Sequence, residues 1–84
     1  MSPTVGFHYV YILQSKDGKH FYSGLTGDLA DRLKKHNSGA VPHTIKYRPW
    51  QIKAALAFRD RVQAAAFEKY LKSSSGRAFA KNRL

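Results

Sequence analysis

Two strand-like runs joined by a short polar turn limit what this chain can fold into more than any other feature. They span residues 7–13 and 20–25, are rich in aromatic and β-branched side chains, and have Asp17-Gly18 between them. An Asp-Gly pair between such runs is typical of a β-hairpin with a two-residue turn. The first run is apolar on both faces, which indicates a strand in the centre of a sheet. We therefore predict a hairpin whose first strand is central.

The turn determines which residues of the hairpin lie opposite each other. A two-residue turn at this position places Leu13 opposite Tyr22 and Tyr11 opposite Gly24, and a shift of one residue would reverse the faces. Tyr11 and Tyr22 then become diagonal neighbours on one face, about 7–8 Å apart at the backbone. Since Gly24 has no side chain, we expect bare backbone beside the two phenols, a gap that lets a ligand approach.

A helix follows the hairpin directly. Asp28 is a suitable N-cap and Gly39 a natural C-terminal stop, so the helix lies between them. Arg32 and His36 are four residues apart and therefore lie on the same side of this helix. We expect both at the margin of the core, beside a buried stripe formed by Leu29 and Leu33.

The second half of the chain adds a strand and a helix. After a loop-like segment at residues 37–49, the run from Trp50 to Phe58 alternates in a way that predicts a strand with one apolar face. Asp60 is a suitable N-cap for a helix over residues 61–72, whose sheet-facing side is formed by Ala64, Phe67 and Leu71. The segment from Ser73 to Gly76 breaks that helix, and a short basic helix follows.

The resulting order is β-β-α-β-α in a single domain over residues 1–84, with residues 1–6 as a loose N-terminal arm. These elements predict a three-stranded, mainly antiparallel sheet with flanking helices, an α/β fold of the α+β kind. No apolar run approaches the ~18 residues that span a bilayer, so we expect no membrane partner. The N-terminus lacks the regions of a signal peptide, and we expect a cytoplasmic protein.

The charge of the chain favours nucleic acid as its partner. Fifteen lysines and arginines stand against five acidic residues, which gives a formal net charge of +10. Such an excess of basic residues is typical of nucleic-acid-binding domains. The absence of cysteine excludes a disulfide framework and a cysteine-based zinc site.

Several motifs in this order resemble the GIY-YIG nuclease superfamily, in particular its small stand-alone bacterial members. The matching segments are Tyr9-Val10-Tyr11, then after ten residues Tyr22-Ser23-Gly24, LTGDLADRLKKH, Arg48-Pro49-Trp50, and FEKYLK. Each short piece is weak by itself, whereas the ordered set with matching gaps is specific. The resemblance implies a metal-dependent endonuclease that hydrolyses DNA phosphodiester bonds in DNA repair or processing.

The resemblance also implies a role for five residues. Tyr11 and Tyr22 correspond to the motif tyrosines near the attacking water and the scissile phosphate, and Arg32 to the arginine that contacts the phosphate. His36 matches a histidine that takes part in proton transfer in a subset of members. Glu68 corresponds to the carboxylate that holds one divalent metal ion, Mg²⁺ or Mn²⁺.

The chain departs from the family pattern at two positions. Leu25 stands where the excision-repair nucleases have a lysine after the second motif, which weakens a lysine-dependent mechanism. Ala80 stands where many members have an asparagine, and Asn82 lies slightly beyond it.

The residues themselves favour a single metal ion. The four aspartates are scattered and three of them occupy turn or cap positions, which argues against the carboxylate cluster of a two-metal nuclease. One Mg²⁺ on Glu68, with water as its other ligands, suits a lone carboxylate, and Arg32 can bind a phosphate through two hydrogen bonds. A phenol with a pKa near ~10 is a poor base unless nearby positive charge lowers that pKa. Tyr11, Tyr22 and His36 all remain candidates for the general base.

Other readings of the same residues remain open. Glu68 can form an i, i+4 ion pair with Lys72, and His36 can cap the last turn of its helix. The protein can be a non-catalytic basic nucleic-acid-binding module on the same scaffold, or an enzyme that needs a protein partner or a homodimer. Seven basic side chains are expected to contact the nucleic-acid backbone without reading sequence: Lys34, Lys35, Lys46, Arg48, Lys69, Lys72 and Arg77.

Overall fold

The computed structural model describes residues 6–84, so the predicted arm lies outside the described residues except for Gly6. Its elements are β1 (His8–Ser15), β2 (Phe21–Thr26), α1 (Leu29–Ser38), a 3₁₀ helix (Pro42–Tyr47), β3 (Trp50–Phe58), α2 (Arg61–Leu71) and α3 (Ser74–Arg83). The three strands form one antiparallel sheet in the order β2-β1-β3. The predicted α+β fold with a central first strand is therefore confirmed. No helix in residues 6–84 is long and apolar enough to cross a membrane.

The two strands of the hairpin pair in the predicted register, but the loop that joins them differs from the predicted turn. Leu13 pairs with Tyr22 and Tyr11 with Gly24, as expected. The loop is longer by one residue on each side, because the Ser15 amide donates to the His20 carbonyl at 2.9 Å. A loop lengthened symmetrically in this way leaves every later pair and its face unchanged.

The conformation of Asp17 explains why the two-residue turn does not form. A type I′ turn on Asp17-Gly18 needs positive φ at both residues, and only Gly18 has it, at +77°. Asp17 instead accepts hydrogen bonds from the Ser15 hydroxyl at 2.6 Å and from the Lys19 amide at 2.9 Å.

Helix α1 begins and ends where the sequence predicts. The Asp28 side chain accepts a hydrogen bond from the Asp31 amide at 3.0 Å, and Gly39 ends the helix with φ of +87°. The side chain of Asn37 then joins α1 to β3: it donates to the Trp50 carbonyl at 3.0 Å and accepts from the Trp50 amide at 2.6 Å. This double contact fixes the C-terminal end of α1 against the sheet.

A β-bulge divides β3 into two parts. Ile12 pairs with Ala54 and Leu13 with Ile52, so Lys53 is an extra residue in the pairing. The prediction of one continuous apolar face is therefore wrong, because a bulge reverses the alternation of side chains. Residues before it pack on the α1 side and residues after it on the side of α2 and α3, as seen for Trp50 and Phe58.

Each face of the sheet carries its own apolar core. On one face α2 and α3 pack on β1 through Val10, Ile12, Ala64 and Leu71, with Phe58, Phe67 and Phe79 around them. On the other face α1 packs through Leu29 and Leu33 against Tyr11, Leu13, Trp50 and Tyr22. The predicted inner sides of both helices are confirmed, and the two tyrosines lie in the core beneath α1.

The break between helices α2 and α3 is shorter than predicted. Ser73 caps α3 by accepting from the Gly76 amide at 3.1 Å, and residues 74–76 already belong to that helix. A Cβ at Gly76 would overlap the Tyr70 carbonyl and lie 2.7 Å from the Leu71 Cα. This glycine therefore permits close packing of α3 on α2 and is not a helix breaker.

Candidate active site

The phenol of Tyr11 lies at the centre of a polar cluster on the α1 side of the sheet. Its oxygen is 3.0 Å from Nε2 of His36, and Arg32 Nε donates to it at 3.4 Å. The ring of Tyr22 lies 5.0 Å from the ring of His36, centre to centre. The hairpin register and the i, i+4 spacing on α1 thus bring together four of the residues singled out in the sequence.

Thr44 completes this cluster and determines which nitrogen of His36 carries the proton. Its hydroxyl donates to the Val41 carbonyl at 3.2 Å and lies 2.7 Å from Nδ1 of His36. A hydroxyl has one proton to donate, so here it accepts from an Nδ1–H group. Neutral His36 then has a free lone pair on Nε2, which accepts the proton of the Tyr11 hydroxyl.

The burial of His36 is greater than its place on the helix suggested. Its side chain is completely inaccessible, whereas Arg32 is half-buried as expected at the margin of the core. The prediction for His36 is wrong because the 3₁₀ helix Pro42–Tyr47 packs over it and contributes Thr44, which is itself buried. Sequence reasoning missed Thr44, since a single threonine in an irregular segment carries no periodic signal.

Burial also sets the protonation states of this cluster. It raises the pKa of the Tyr11 phenol, and the opposing effect of the Arg32 guanidinium does not compensate. Burial, followed by the positive charge of Arg32, lowers the pKa of His36. Both groups are therefore neutral near pH 7. The expectation that nearby positive charge lowers the phenol pKa fails for Tyr11, because desolvation outweighs it.

The expected gap at Gly24 is filled by Tyr11 itself. A Cβ added at Gly24 would overlap the Tyr11 hydroxyl, and the ring carbon Cζ would lie only 2.6 Å away. Gly24 therefore serves to seat the phenol against the backbone of β2. The expectation of bare backbone open to a ligand is wrong at this position.

Glu68 lies close to the ring of Tyr22, although its helix α2 packs on the face of the sheet opposite α1. Its Oε2 is 2.9 Å from the Lys72 ammonium, which lies 6.0 Å from the centre of the Tyr22 ring, so the carboxylate oxygen is within about 9 Å of that ring. The charge of Glu68 also contributes to raising the pKa of Tyr11. The i, i+4 ion pair with Lys72 is thus present, and it lies beside the tyrosine cluster.

The donor set around Glu68 suits one hydrated divalent ion. Residues 6–84 contain no group of three or more histidine, cysteine or acidic side chains able to hold a metal together. Mg²⁺ commonly binds through one or two carboxylates, keeps several water ligands and takes phosphate oxygens of the substrate. Glu68 fits as the single protein ligand of such an ion, and a two-ion site does not fit these residues.

The seven basic residues proposed for nucleic acid are distributed over two clefts and two helix surfaces. Lys72 and Arg77 line a larger cleft, and Lys46 and Arg48 line a smaller one. Lys35 pairs with Asp31 at 3.1 Å on α1. The other two are exposed on α1 and α2: Lys34 and Lys69. Three further cations line the same clefts, namely Lys16, Lys53 and Lys81.

Comparison with known proteins places the chain in a family. A model described as the GIY-YIG catalytic domain, a nuclease domain, matches residues 7–82. The chain is 41% identical over 71 residues to the UPF0213 protein BH0048 of Halalkalibacterium halodurans, with 83% of this chain and 74% of that protein covered. It is 35% identical over 69 residues to the UPF0213 protein SSP2268 of Staphylococcus saprophyticus, with 81% and 83% covered.

A solved structure agrees with these sequence matches. The solution NMR structure of the UPF0213 protein BH0048 from Bacillus halodurans superposes with a TM-score of 0.55 at 35% identity, covering 90% of this chain and 83% of that one. Residues 7–82, which the family model matches, include all three strands, α1 and α2. Together these findings show that the chain belongs to the GIY-YIG family of nuclease domains.

Proposed function

We propose that this protein is a metal-dependent endonuclease that hydrolyses DNA phosphodiester bonds at a single-metal site. Membership of a nuclease family supports the reaction class and the nucleic-acid partner. The observation that carries the proposal is the neutral phenol of Tyr11, held between the Arg32 guanidinium and the acceptor nitrogen of His36, with the Glu68 carboxylate nearby.

The proton of the attacking water leaves through Tyr11. A phenol with a raised pKa is not a phenolate at rest, so it acts as a relay: Tyr11 Oη accepts the water proton while its own proton moves to His36 Nε2. His36 is completely buried and reaches the nucleophile only through this phenol. Tyr22, which is partly exposed, orients the attacking water beside the phosphate.

Arg32 and Glu68 act on the phosphate. The guanidinium is only partly buried, and its single long contact with Tyr11 leaves other N–H groups for two hydrogen bonds to phosphoryl oxygens. Glu68 would hold one Mg²⁺ or Mn²⁺, which when bound supplies charge stabilisation for the phosphoryl and leaving oxygens. A bond forms between the water oxygen and phosphorus, the bond to the sugar oxygen breaks, and that oxygen takes a proton from solvent.

We also propose the wider setting of this activity. Residues 1–84 act as one nuclease domain in the cytoplasm, where bacterial DNA lies, in the repair or processing of DNA. So small a domain offers little surface for choosing a substrate, which supports the involvement of a protein partner or a second copy of the chain.

One observation favours the alternative of a non-catalytic nucleic-acid-binding module. The Glu68 carboxylate is already neutralised by Lys72 at 2.9 Å, so a metal ion must compete with an ammonium for the same oxygen. In this alternative the ion pair is purely structural, and the buried phenol and imidazole serve stability alone.

Cleavage assays with a matched pair of variants separate these functions. Labelled linear, branched, flapped and single-stranded DNA, and RNA, are incubated with Mg²⁺, Mn²⁺ or chelator. Glu68→Gln removes the proposed metal ligand, and Asp31→Asn removes another i, i+4 ion pair, which lies on α1 and has a more exposed carboxylate. We expect loss of cleavage by at least about 100-fold in Glu68→Gln, as for removal of a group that stabilises transition-state charge, and a rate near wild type in Asp31→Asn.

Two results would contradict the proposed function. Cleavage that survives chelator or the Glu68→Gln substitution would exclude the single-metal mechanism. Tight binding of nucleic acid without cleavage of any substrate would favour the binding module.

A further inference from the structure

A cleft of about 710 Å³ lies between the β2 edge of the sheet and α3, on the face opposite α1. This volume lies within the range of small-molecule sites in proteins. Its floor is apolar, formed by Ile12, Leu71 and Ala80. Its rim carries four cations: Lys53, Lys72, Arg77 and Lys81. None of the described residues that line it is acidic, so its electrostatic character suits an anionic ligand.

An aromatic ring stands exposed at the mouth of this β2–α3 cleft. Phe21, at the start of the edge strand β2, is 54% exposed. The Lys53 ammonium lies 5.0 Å from the centre of its ring. Lys53 is the extra residue of the β3 bulge, and bulges often redirect a side chain near a functional site. The bulge therefore directs a cation to the one exposed ring of this cleft.

The cleft borders the candidate active site through two of the residues that line it. Tyr22 follows Phe21 on β2 and lines the cleft, and its ring lies 5.0 Å from that of His36. Lys72 also lines the cleft while it pairs with Glu68. A strand whose phosphate sits beside Arg32 and Glu68 therefore extends naturally into the cleft.

We propose that the β2–α3 cleft binds an unpaired nucleotide of the substrate strand, with its base against Phe21 and its phosphates on Lys53, Arg77 and Lys81. This inference rests on the proposed function, since it assigns the neighbouring nucleotide of the same strand. Stacking on aromatic rings beside a basic track is how proteins bind single strands without reading sequence. In a duplex the faces of the bases are covered by their neighbours, so the site selects single-stranded or flapped substrates.

The first test measures binding in chelator, where no cleavage occurs. Fluorescence anisotropy compares a labelled single strand of about 15 nucleotides, near the upper end of single-strand site sizes, with a duplex of the same sequence. In Phe21→Ala we expect about tenfold weaker binding of the single strand, the effect of losing one stacked base, and a change below about twofold for the duplex, which makes no stacking contact. Phe21→Trp keeps a stacking face and is expected to retain binding.

The matched control is Val62→Ala, which removes another exposed apolar side chain, on α2, that does not line the cleft. It is expected to leave both affinities unchanged. A single strand that carries 2-aminopurine adds a direct signature, because moving this base from its neighbours onto Phe21 changes its fluorescence and Phe21→Ala removes that change. Equal effects of Phe21→Ala on single strand and duplex, or no effect on either, would overturn the proposal, as would tighter binding of an acidic peptide than of the single strand.

Cleavage then separates failure of this proposal from failure of the proposed function. If the wild type cleaves and Phe21→Ala keeps the same ratio of flap to duplex cleavage, the nuclease assignment stands and the nucleotide site is refuted. If nothing is cleaved but Phe21→Ala selectively weakens single-strand binding, the nucleotide site stands and the nuclease assignment falls.

Discussion

Replacing Thr44 by valine tests whether the buried hydrogen-bond chain positions His36 for catalysis. The two side chains have nearly the same shape, so the change removes a hydroxyl and little else. The Thr44 hydroxyl accepts a hydrogen bond from Nδ1–H of His36 at 2.7 Å. Without that acceptor, neutral His36 gains by moving its proton to Nε2, where it donates to Tyr11 and no longer accepts from it.

The structure sets the size of two separate effects. After this change of tautomer the buried Nδ1 of His36 has no donor; an unsatisfied buried polar atom costs about 1–3 kcal/mol, and a central value of about 2 kcal/mol lowers the Tm of a domain of this size by about 8–16 °C. Loss of a correctly placed proton acceptor lowers cleavage by about 10²-fold or more. Thr44→Ser restores the hydroxyl and is expected to recover most of both losses.

The assays combine cleavage rates, thermal unfolding and ¹⁵N NMR of the His36 ring, which reports the tautomer without needing activity. A purely structural role for Thr44 would lower the Tm and leave the tautomer unchanged. The reasoning is refuted if Thr44→Val keeps Nδ1–H on His36 and cleaves at the wild-type rate under conditions where it is folded.

Three further predictions follow from other parts of the site. Gly24→Ala displaces the Tyr11 phenol from its position against β2. We expect a loss of about 1–3 kcal/mol of folding stability from overpacking and at least about tenfold slower cleavage. A variant with wild-type stability and cleavage rate would contradict the packing argument. The pKa of His36 is lowered in the folded protein, so the unfolded chain binds more protons below about pH 6.5 and stability falls as the pH drops through that value. Between pH 7.5 and 5 this fall of Tm with pH should disappear in His36→Gln and persist in His43→Gln. An unchanged dependence of Tm on pH in His36→Gln would refute the assignment. Lys72→Met frees the Glu68 carboxylate. We expect tighter Mn²⁺ binding by electron paramagnetic resonance with less than about 0.5 kcal/mol change in stability, because this is an i, i+4 helix pair whose lysine is about half exposed. Weaker Mn²⁺ binding would argue against Glu68 as the ligand.

The sequence predicts those features of this protein that depend on local patterns. The pairing of Tyr11 with Gly24 follows from the register of the hairpin. A loop that is longer by one residue on each side does not change this register. The limits of α1 follow from Asp28 and Gly39, whose capping geometry is local. Together with the packing of α1 on the sheet, these two features bring Tyr11, Arg32 and His36 to one place.

Features that depend on distant packing are not predicted. The bulge at Lys53 leaves no signal because several residues after it are alanines, which fit either face of a strand. The burial of His36 depends on the 3₁₀ helix Pro42–Tyr47, whose sequence has no apolar periodicity. Gly76 resembles a helix breaker in sequence and becomes a contact between two helices only in the fold.

The position of the site around the β2 edge connects the catalytic proposal with the choice of substrate. Tyr11 and its proton acceptor lie on the α1 face of the sheet, whereas Glu68 comes from α2, which packs on the other face. A substrate strand that contacts Tyr11 and also enters the β2–α3 cleft on the other face must pass around β2, an edge strand of only six residues. Duplex DNA is stiff over about 150 base pairs and resists such a bend, but an unpaired strand follows it easily. The fold therefore favours a flexible strand before any contact with Phe21 is made.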